Sequence, residues 1–243
     1  MYLNLFIIIT IFISHIFNSS SSAFSYSQEK KDKEFVYLLH GLGRSKTAMW
    51  LLASRLEDAG FIVQPIDYSS LSKSPQEILN DVSEQINNAL PPNGQPVHFV
   101  GHSLGGLLIR AYLDANRIDN LGNVVLLGTP NKGTPLVDHF RDSWWFHLLG
   151  PTTLSLGTDK NSFPNSIAEP YYPVGVIAGI SESFDNEEFL PGKDDGLVPL
   201  ESTKLNGMSD MVIVKSGHSM MRYNAEVAEQ TIAFLCYGKF KRR

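Results

Sequence analysis

The feature that most constrains the fold is the stretch VHFVGHSLGGLL at positions 97–108. An apolar run that predicts a strand leads into GHSLG, and a helix-favouring apolar segment follows at once. In this strand–turn–helix setting the G-x-S-x-G pattern predicts a nucleophile elbow with Ser103 at the tip of a sharp turn. Gly101 and Gly105 fit such a turn because a Cβ at either position would collide where helix and strand approach closely. The alternative is a glycine-rich turn without a chemical role.

Apolar runs that alternate with helical patterns predict a parallel sheet around this elbow. Short runs without polar alternation lie at 35–39, 61–67, 97–100, 123–127, 174–180 and 211–214. Helical patterns lie at 48–59 and 75–90, directly after the elbow, and at 224–235. Strands of this kind are typical of a sheet buried on both faces. We therefore predict the α/β class, a mostly parallel central sheet with helices on both faces.

The segment at 131–173 breaks this alternation and predicts a small cap insertion. It is rich in Pro, Gly, Ser and Thr. It also contains a cluster of large apolar side chains: Phe140, Trp144, Trp145, Phe146, Leu148 and Leu149. Either these side chains pack down on the domain, or some of them face an acyl chain or a membrane surface. Both interpretations hold if the inner face of the cap lines a pocket.

The first residues have the layout of an export signal. Positions 3–17 are almost wholly apolar, and small polar residues lead to Ala23. This pattern predicts a signal peptide over 1–23, although no Lys or Arg precedes the apolar run. An uncleaved membrane anchor and an N-terminal helix packed on the domain are the alternatives. We expect an exported (secreted or periplasmic) protein with a linker at 24–34 and one folded domain at 35–243.

Charge and cysteine content exclude several classes of protein. The net charge of −5 does not suggest nucleic-acid binding. Cys236 is the only cysteine of the 243 residues, so neither an internal disulfide nor a cysteine zinc cluster can form. The basic tail at 239–243 is expected to be a solvated end, with binding to an anionic surface as the alternative. We expect a monomer.

The base that would accept the Ser103 proton must be a histidine. His218 follows the last predicted strand in an SGHS turn, from which a loop could reach the carboxyl edge of the sheet. His40 ends the first strand, and we expect it to hold the loop that carries an oxyanion donor. The other histidines lie in the leader, in a strand, in the elbow turn or in the insertion: His15, His98, His102, His139 and His147.

An acid that orients the histidine is expected between Ser103 and His218 in chain order. The segment PGKDDGLVP at 191–199 holds two adjacent carboxylates. We choose Asp195 over Asp194 because a glycine and an apolar anchor follow it directly. A plain turn and a calcium-binding loop are the alternatives, but two adjacent acids are too few for a calcium cage.

The oxyanion hole requires two backbone N–H groups. One is predicted at Leu104, the residue after the nucleophile. The other is predicted at Leu42 in the HGLG loop at 40–43, directly after the first strand. No side chain is needed at either position, which is why neither residue is polar. The sequence assigns no further substrate-binding residues.

Together these motifs resemble the α/β-hydrolase superfamily, in its lipase and esterase branch. HGLG, GHSLGG, GTPNKGT, DDGLVP and GHS stand in that family's order, and the resemblance spans 35–240. The chain is similar to compact bacterial lipases that lack the first strands of the full sheet, and to GPI-inositol deacylases. The resemblance implies a serine hydrolase with Ser103, Asp195 and His218 as catalytic triad. The short insertion departs from large lipase lids, so interfacial activation is not implied.

The expected function is hydrolysis of a carboxylic ester, with a small-molecule or lipid ester as substrate. The acyl-enzyme would form on Ser103, and no metal or cofactor is expected to be needed. Contact with a membrane surface is a further expectation. An acyltransferase with the same triad is the nearest alternative, because the sequence does not distinguish water from an alcohol as acceptor. A non-catalytic interaction protein that has kept the fold is a second alternative.

Overall fold

A single parallel sheet organises the part of the chain that the computed structural model describes, residues 33–91, 94–181 and 188–242. Six strands lie within these ranges: β1 (Phe35–Leu39), β2 (Ile62–Ile66), β3 (Val97–His102), β4 (Leu121–Leu127), β5 (Val174–Ile180) and β6 (Asp210–Lys215). Their order is β2-β1-β3-β4-β5-β6, and each neighbouring pair is parallel. The predicted α/β fold class is confirmed.

Helices connect the strands and cover the sheet. The α-helices of the described ranges are α1 (Trp50–Asp58), α2 (Pro75–Ala89), α3 (Leu104–Ala115), α4 (Pro135–Phe140), α5 (Gly150–Leu154), α6 (Phe163–Ser166), α7 (Leu200–Thr203) and α8 (Ala225–Tyr237). Short 3₁₀ turns occupy Lys46–Met49, Phe146–Leu149 and His218–Tyr223. No helix of these ranges combines the length and apolar character that crossing a bilayer requires.

Two apolar cores lie on opposite faces of the sheet. Ile78, Val82 and Ile86 project from α2 into one core, together with the apolar face of α3. On the other face α1 and α8 pack with residues such as Leu56 and Phe234. Because both faces are covered, β3 is buried along its whole length, including His98 and His102, which lie among its apolar residues.

Helix α2 begins where the sequence places its start signals. The Ser74 side chain accepts a hydrogen bond from the Glu77 backbone N–H, and the Glu77 carboxylate accepts one from the Ser74 N–H. Pro75 occupies the first turn, where a missing N–H costs no hydrogen bond. This reciprocal cap supports the long helix that connects β2 to β3.

Element boundaries differ from expectation by a few residues. The predicted helix at 48–59 divides into a 3₁₀ turn and α1, and β4 starts two residues before 123. Helices α4, α5 and α6 lie within the predicted insertion at 131–173, whose limits stay a prediction. The leader at 1–23 and nearly all of the linker at 24–34 lie outside the described residues.

The strand order positions the site. The chain passes from β1 to β2 on one side and returns to β3 on the other, so β1 and β3 are neighbours with connections running in opposite directions. Open α/β sheets place their binding crevices at such a switch point, beyond the carboxyl ends of the strands. The HGLG loop follows β1, and the GHSLG turn follows β3 at the same edge.

Candidate active site

Ser103 lies between β3 and α3 in a strained backbone conformation. Its φ of 55° makes it the only non-glycine residue with positive φ in the described ranges. Such a conformation costs about 1–3 kcal/mol and persists where the surrounding structure enforces it. A Cβ added to Gly101 would lie 2.5 Å from the Gly106 nitrogen, and one added to Gly105 would lie 2.6 Å from the His40 oxygen. The flanking glycines therefore permit the close approach that forms the turn.

The structure brings His218 to Ser103 across 115 residues of sequence. The His218 Nε2 and Ser103 Oγ atoms are 2.9 Å apart. His218 is the first residue of the 3₁₀ turn that follows β6, and its ring is buried. The turn thus carries the imidazole back across the carboxyl edge of the sheet, past β5 and β4, to Ser103 at the end of β3.

Asp195 completes this hydrogen-bonded line. Its Oδ2 lies 2.7 Å from His218 Nδ1, and its Oδ1 accepts hydrogen bonds from the backbone N–H groups of Leu197 and Val198. The Asp195 backbone oxygen also accepts from the His218 N–H at 2.7 Å. Because a carboxylate accepts only, Nδ1 is assigned the proton, and Nε2 can then accept the Ser103 hydroxyl proton.

Asp194 faces a different environment from Asp195. Its Oδ1 accepts a hydrogen bond from the Gly196 N–H at 2.6 Å, and its backbone pairs with Pro199. Burial raises the pKa of the Asp194 carboxyl, and the neighbouring Asp195 charge raises it further. Of the two adjacent acids, the structure places the chosen Asp195 on the histidine, while Asp194 shapes the loop.

The two backbone segments that carry the predicted oxyanion donors both lie next to Ser103. Leu104 is the first residue of α3, where backbone N–H groups point outward from the helix start. Leu42 follows Gly41, and a Cβ added to Gly41 would lie 3.3 Å from the Ser103 Cβ. The loop that carries Leu42 therefore runs directly beside the nucleophile position.

His40 holds that loop, as expected from its place at the end of β1. Its ring stacks on Tyr68 with 3.9 Å between ring centroids, and its backbone oxygen accepts a hydrogen bond from the Tyr68 hydroxyl. The Gly43 N–H donates to Ser70 Oγ at 2.8 Å. The loop is thus fixed from the segment that follows β2.

His102 contributes a contact that the sequence analysis did not assign. Its Nε2 lies 2.9 Å from the His218 backbone oxygen and must donate, because a carbonyl only accepts. The two rings lie 4.8 Å apart. Burial first, and then the neighbouring His218, holds the pKa of His102 well below its ordinary value. The side chain is therefore a neutral donor that fixes the backbone of His218.

Gly128 is the second residue that sequence reasoning missed. It follows β4 with a φ of 53°. A Cβ at this position would lie 2.9 Å from Met221 Sδ, 3.1 Å from Asp195 Oδ2 and 3.3 Å from His218 Nδ1. The GTPNKGT motif draws attention to this glycine, but only the fold shows that it packs against the Asp–His pair.

The described residues contain no group of three or more metal-binding side chains close enough to hold an ion. What the arrangement offers is a hydroxyl, an imidazole and a carboxyl group in one hydrogen-bonded line, beside two backbone segments suited to an oxyanion. These are the groups that acyl transfer to a serine requires.

Comparison with solved structures identifies the fold. A lipase of Bacillus licheniformis in its mature form superposes with a TM-score of 0.64 at 19% identity, over 84% of this chain and 90% of that one. Aspergillus fumigatus lipase B gives 0.63 at 17%, over 86% and 54%. A lipase-esterase related protein of Clostridium acetobutylicum gives 0.54 at 17%, over 84% and 96%. A search of curated protein sequences finds no match.

A sequence-family comparison is more specific. The model of the palmitoyl protein thioesterase family matches residues 35–170, which is more than half of the chain and includes the HGLG loop, the elbow and nearly all of the predicted insertion. With the lipase and esterase folds above, this match makes the protein a hydrolase of the lipase, esterase and thioesterase type. The chain is an α/β-hydrolase and belongs to the palmitoyl protein thioesterase family.

Proposed function

We propose that the protein hydrolyses acyl esters and acyl thioesters through a covalent acyl-enzyme on Ser103. The observation that carries this proposal is the line from Asp195 Oδ2 through the His218 ring to Ser103 Oγ, with separations of 2.7 and 2.9 Å. Family membership supports an acyl substrate. It also extends the expected leaving group from an alcohol to a thiol.

Acylation begins when Ser103 Oγ attacks the substrate carbonyl carbon and its proton passes to His218 Nε2. Asp195 stabilises the resulting imidazolium through Nδ1. The carbonyl oxygen becomes an oxyanion, which the backbone N–H groups of Leu42 and Leu104 bind. When the tetrahedral intermediate collapses, the bond to the leaving oxygen or sulfur breaks and that atom takes the proton from Nε2.

Deacylation repeats these steps with water. His218 Nε2 removes a proton from a water molecule as its oxygen attacks the acyl carbon. The ester bond to Ser103 then breaks, Oγ regains a proton from His218, and the carboxylic acid leaves. The cycle returns every group to its starting protonation state.

His102 acts in this scheme as a positioning residue. Its neutral Nε2–H donates to the His218 backbone oxygen, so it fixes the turn that presents the imidazole. A charged His102 would oppose the imidazolium 4.8 Å away, and the lowered pKa avoids this. His102→Leu should lower kcat by about tenfold through loss of a buried hydrogen bond, whereas His102→Gln, which retains an N–H donor, should restore part of it. Unchanged KM in both variants would mark an effect on the histidine and not on binding.

A matched substrate pair tests the proposed function. The purified protein would be given a palmitoyl thioester and a palmitoyl oxyester, together with short-chain analogues of each. We expect release of free acid that depends on Ser103. Absence of acid from every substrate would contradict the proposal, and transfer of the acyl group to an added alcohol, with little free acid, would show an acyltransferase instead.

A further inference from the structure

An exposed apolar patch lies on the insertion. Four of the six residues at 144–149 present large apolar side chains to solvent, with exposed fractions of 78% for Trp144, 43% for Trp145, 74% for Leu148 and 38% for Leu149. Leu71, 43% exposed, borders them. We call these five residues the Trp–Leu patch. Several large apolar side chains exposed within one short segment are a mark of interaction sites, whereas scattered single ones are ordinary.

Buried contacts anchor the segment that carries the Trp–Leu patch. Phe146, in the middle of the sequence run, is buried, and its ring contacts those of Trp145 and Phe140 with centroids 5.5 and 6.2 Å apart. The Thr152 hydroxyl, in the helix that follows, donates to the Lys73 backbone oxygen at 2.7 Å. The outward side chains therefore stand on a segment anchored to the domain.

The patch adjoins the candidate active site. The backbone of Gly150 packs on that of Leu71 so closely that a Cβ at Gly150 would lie 1.6 Å from the Leu71 oxygen. The Leu71 side chain in turn lies 3.7 Å from the position of a Cβ on Gly43. Gly43 is next to Leu42, so the patch and the oxyanion loop are connected through one leucine.

The charges around the patch suit a lipid surface. The run SWWFHLL at 143–149 contains no Asp, Glu, Lys or Arg. Arg141, which precedes it, is paired with Asp138 and Asp159 at 2.9 and 2.6 Å. The run itself would therefore bring no carboxylate, ammonium or guanidinium group into the boundary between lipid headgroups and acyl chains, and the exposed Asp142 directly before it would have to stay at the headgroups. Indole rings favour this boundary because one side is apolar and the N–H is polar.

We propose that the Trp–Leu patch docks the protein on the surface of a phospholipid bilayer and presents membrane-embedded acyl groups to Ser103. The use of the docked state rests on the proposed hydrolase function, but docking itself can be measured without catalysis. Leu71 lies between the bilayer contact and the oxyanion loop, so an acyl chain leaving the membrane would meet an apolar path. No lid movement is required, because the patch is already exposed.

Tryptophan fluorescence tests the docking directly. The chain has three tryptophans, at positions 50, 144 and 145. In the Trp50→Phe protein all tryptophan emission comes from the patch, and we expect this emission to fall with phosphatidylcholine vesicles brominated on the acyl chains, compared with unbrominated vesicles. The matched control is Trp144→Phe with Trp145→Phe, which leaves Trp50, 61% exposed at the start of α1, and its emission should not change.

This readout separates the patch from other membrane contacts. Binding through the apolar residues at 3–17 alone would bring protein to the vesicles without quenching the patch tryptophans. Absence of bromine quenching in Trp50→Phe, or equal quenching of Trp50 in the control, would overturn the proposal. If the patch instead binds a protein partner, the vesicle signal would likewise be absent.

Kinetics connect the patch to catalysis. Trp144→Ser with Leu148→Ser should weaken vesicle binding by about tenfold for each side chain. It should lower turnover of a vesicle-embedded acyl substrate but leave that of a soluble short-chain thioester unchanged. Tyr237→Ser, at a 73% exposed aromatic in α8, is the matched control and should change neither. Equal loss on both substrates would contradict docking, whereas quenching without turnover of either substrate by the unmodified protein would refute only the hydrolase.

Discussion

The catalytic edge of the sheet and the insertion lie side by side but are built in opposite ways. At the catalytic edge His218 and Asp195 are buried, and glycines approach them to within a few ångströms. In the insertion, the turn at 144–145 and the 3₁₀ turn Phe146–Leu149 present tryptophan and leucine side chains to solvent. Its ion pairs, such as Arg141 with Asp159, lie at the surface.

This difference separates two tasks. The positions of the reacting groups depend on strand ends whose spacing the parallel sheet determines, so small changes there should have large effects on catalysis. The insertion, in our account, determines which acyl groups reach those atoms. Substitutions there should weaken binding of the protein to the surface that holds the substrate. They should not change the rate of the chemical step. The predictions below test this division, and the size of the expected effect decreases from one prediction to the next.

The largest effect is expected at the nucleophile. Ser103→Ala should lower turnover of a short-chain ester by about 10⁶-fold, and His218→Ala by a similar factor, since triad members act as a unit. Thermal unfolding of each variant provides the control, because a hydroxyl at an elbow contributes little to the core. Activity near that of the unmodified protein would remove Ser103 from its proposed role.

The adjacent acids should differ sharply. Asp195→Asn should lower kcat by up to about 10⁴-fold, because an amide presents the wrong hydrogen-bonding pattern to His218 Nδ1. Asp194→Asn keeps an oxygen that can accept from the Gly196 N–H, so its kcat should fall much less. Steady-state kinetics on both proteins decide between them. A larger loss for Asp194→Asn would show that the acid has been misassigned.

Gly128→Ala should show how tightly the catalytic edge is packed. The added Cβ would press on the Asp–His pair, and a displacement of about 1 Å can cost about 10²-fold in kcat. Gly60→Ala is the matched control, since Gly60 has φ of 99° but nothing within 4 Å of an added Cβ. Both variants should lose stability in urea, and only Gly128→Ala should lose kcat. Equal kcat values would mean that the pair tolerates the contact.

Acidification should lower the free energy of unfolding because His40 and His102, near the catalytic edge, are buried. Burial lowers the pKa of His40 and, more strongly, that of His102 below the ordinary value of 6.5. As pH falls through 6.5 the unfolded chain binds protons that the folded protein does not accept, so the free energy of unfolding decreases. The decrease continues until the folded pKa values are reached. Urea unfolding across this range should show it, and a smaller decrease is expected in His102→Gln.

The insertion supplies the smallest expected effect. Arg141→Ala removes two ion pairs that are partly exposed, and such pairs contribute about 0–1 kcal/mol. The melting temperature should change little, and kcat on a soluble ester should not change. A large loss of kcat from this substitution would show that the insertion participates in the chemical step, contrary to the division described above.

Much of the fold could be predicted from the sequence because most strands are rich in apolar residues, although the edge strand β2 also contains Gln64 and Pro65. Strand β5 matches the expected 174–180, and α8 follows the expected 224–235 closely. The elbow could be predicted because G-x-S-x-G between a strand and a helix has few structural solutions. The local sequence pattern was therefore sufficient to predict the long elements and the short motif of the elbow.

The contacts of His102 and Gly128 could not be predicted, because they depend on distant residues. His102 meets a carbonyl 116 residues away, and Gly128 faces a pair formed between two later loops. In the insertion, short helical pieces have no period long enough to show a buried face. Phe146 is buried, whereas Trp144, Trp145, Leu148 and Leu149 around it are exposed. Packing on the domain thus describes Phe146, and the four exposed side chains remain available to an acyl chain or a membrane surface.

Reaction with a fluorophosphonate probe tests the central claim most directly, because such probes modify a serine only when a neighbouring base activates it. The labelled protein would be digested and the modified peptide identified by mass spectrometry. Our account predicts one label on Ser103 and none in His218→Ala. A label on another serine, or an unlabelled Ser103 in the unmodified protein, would contradict it.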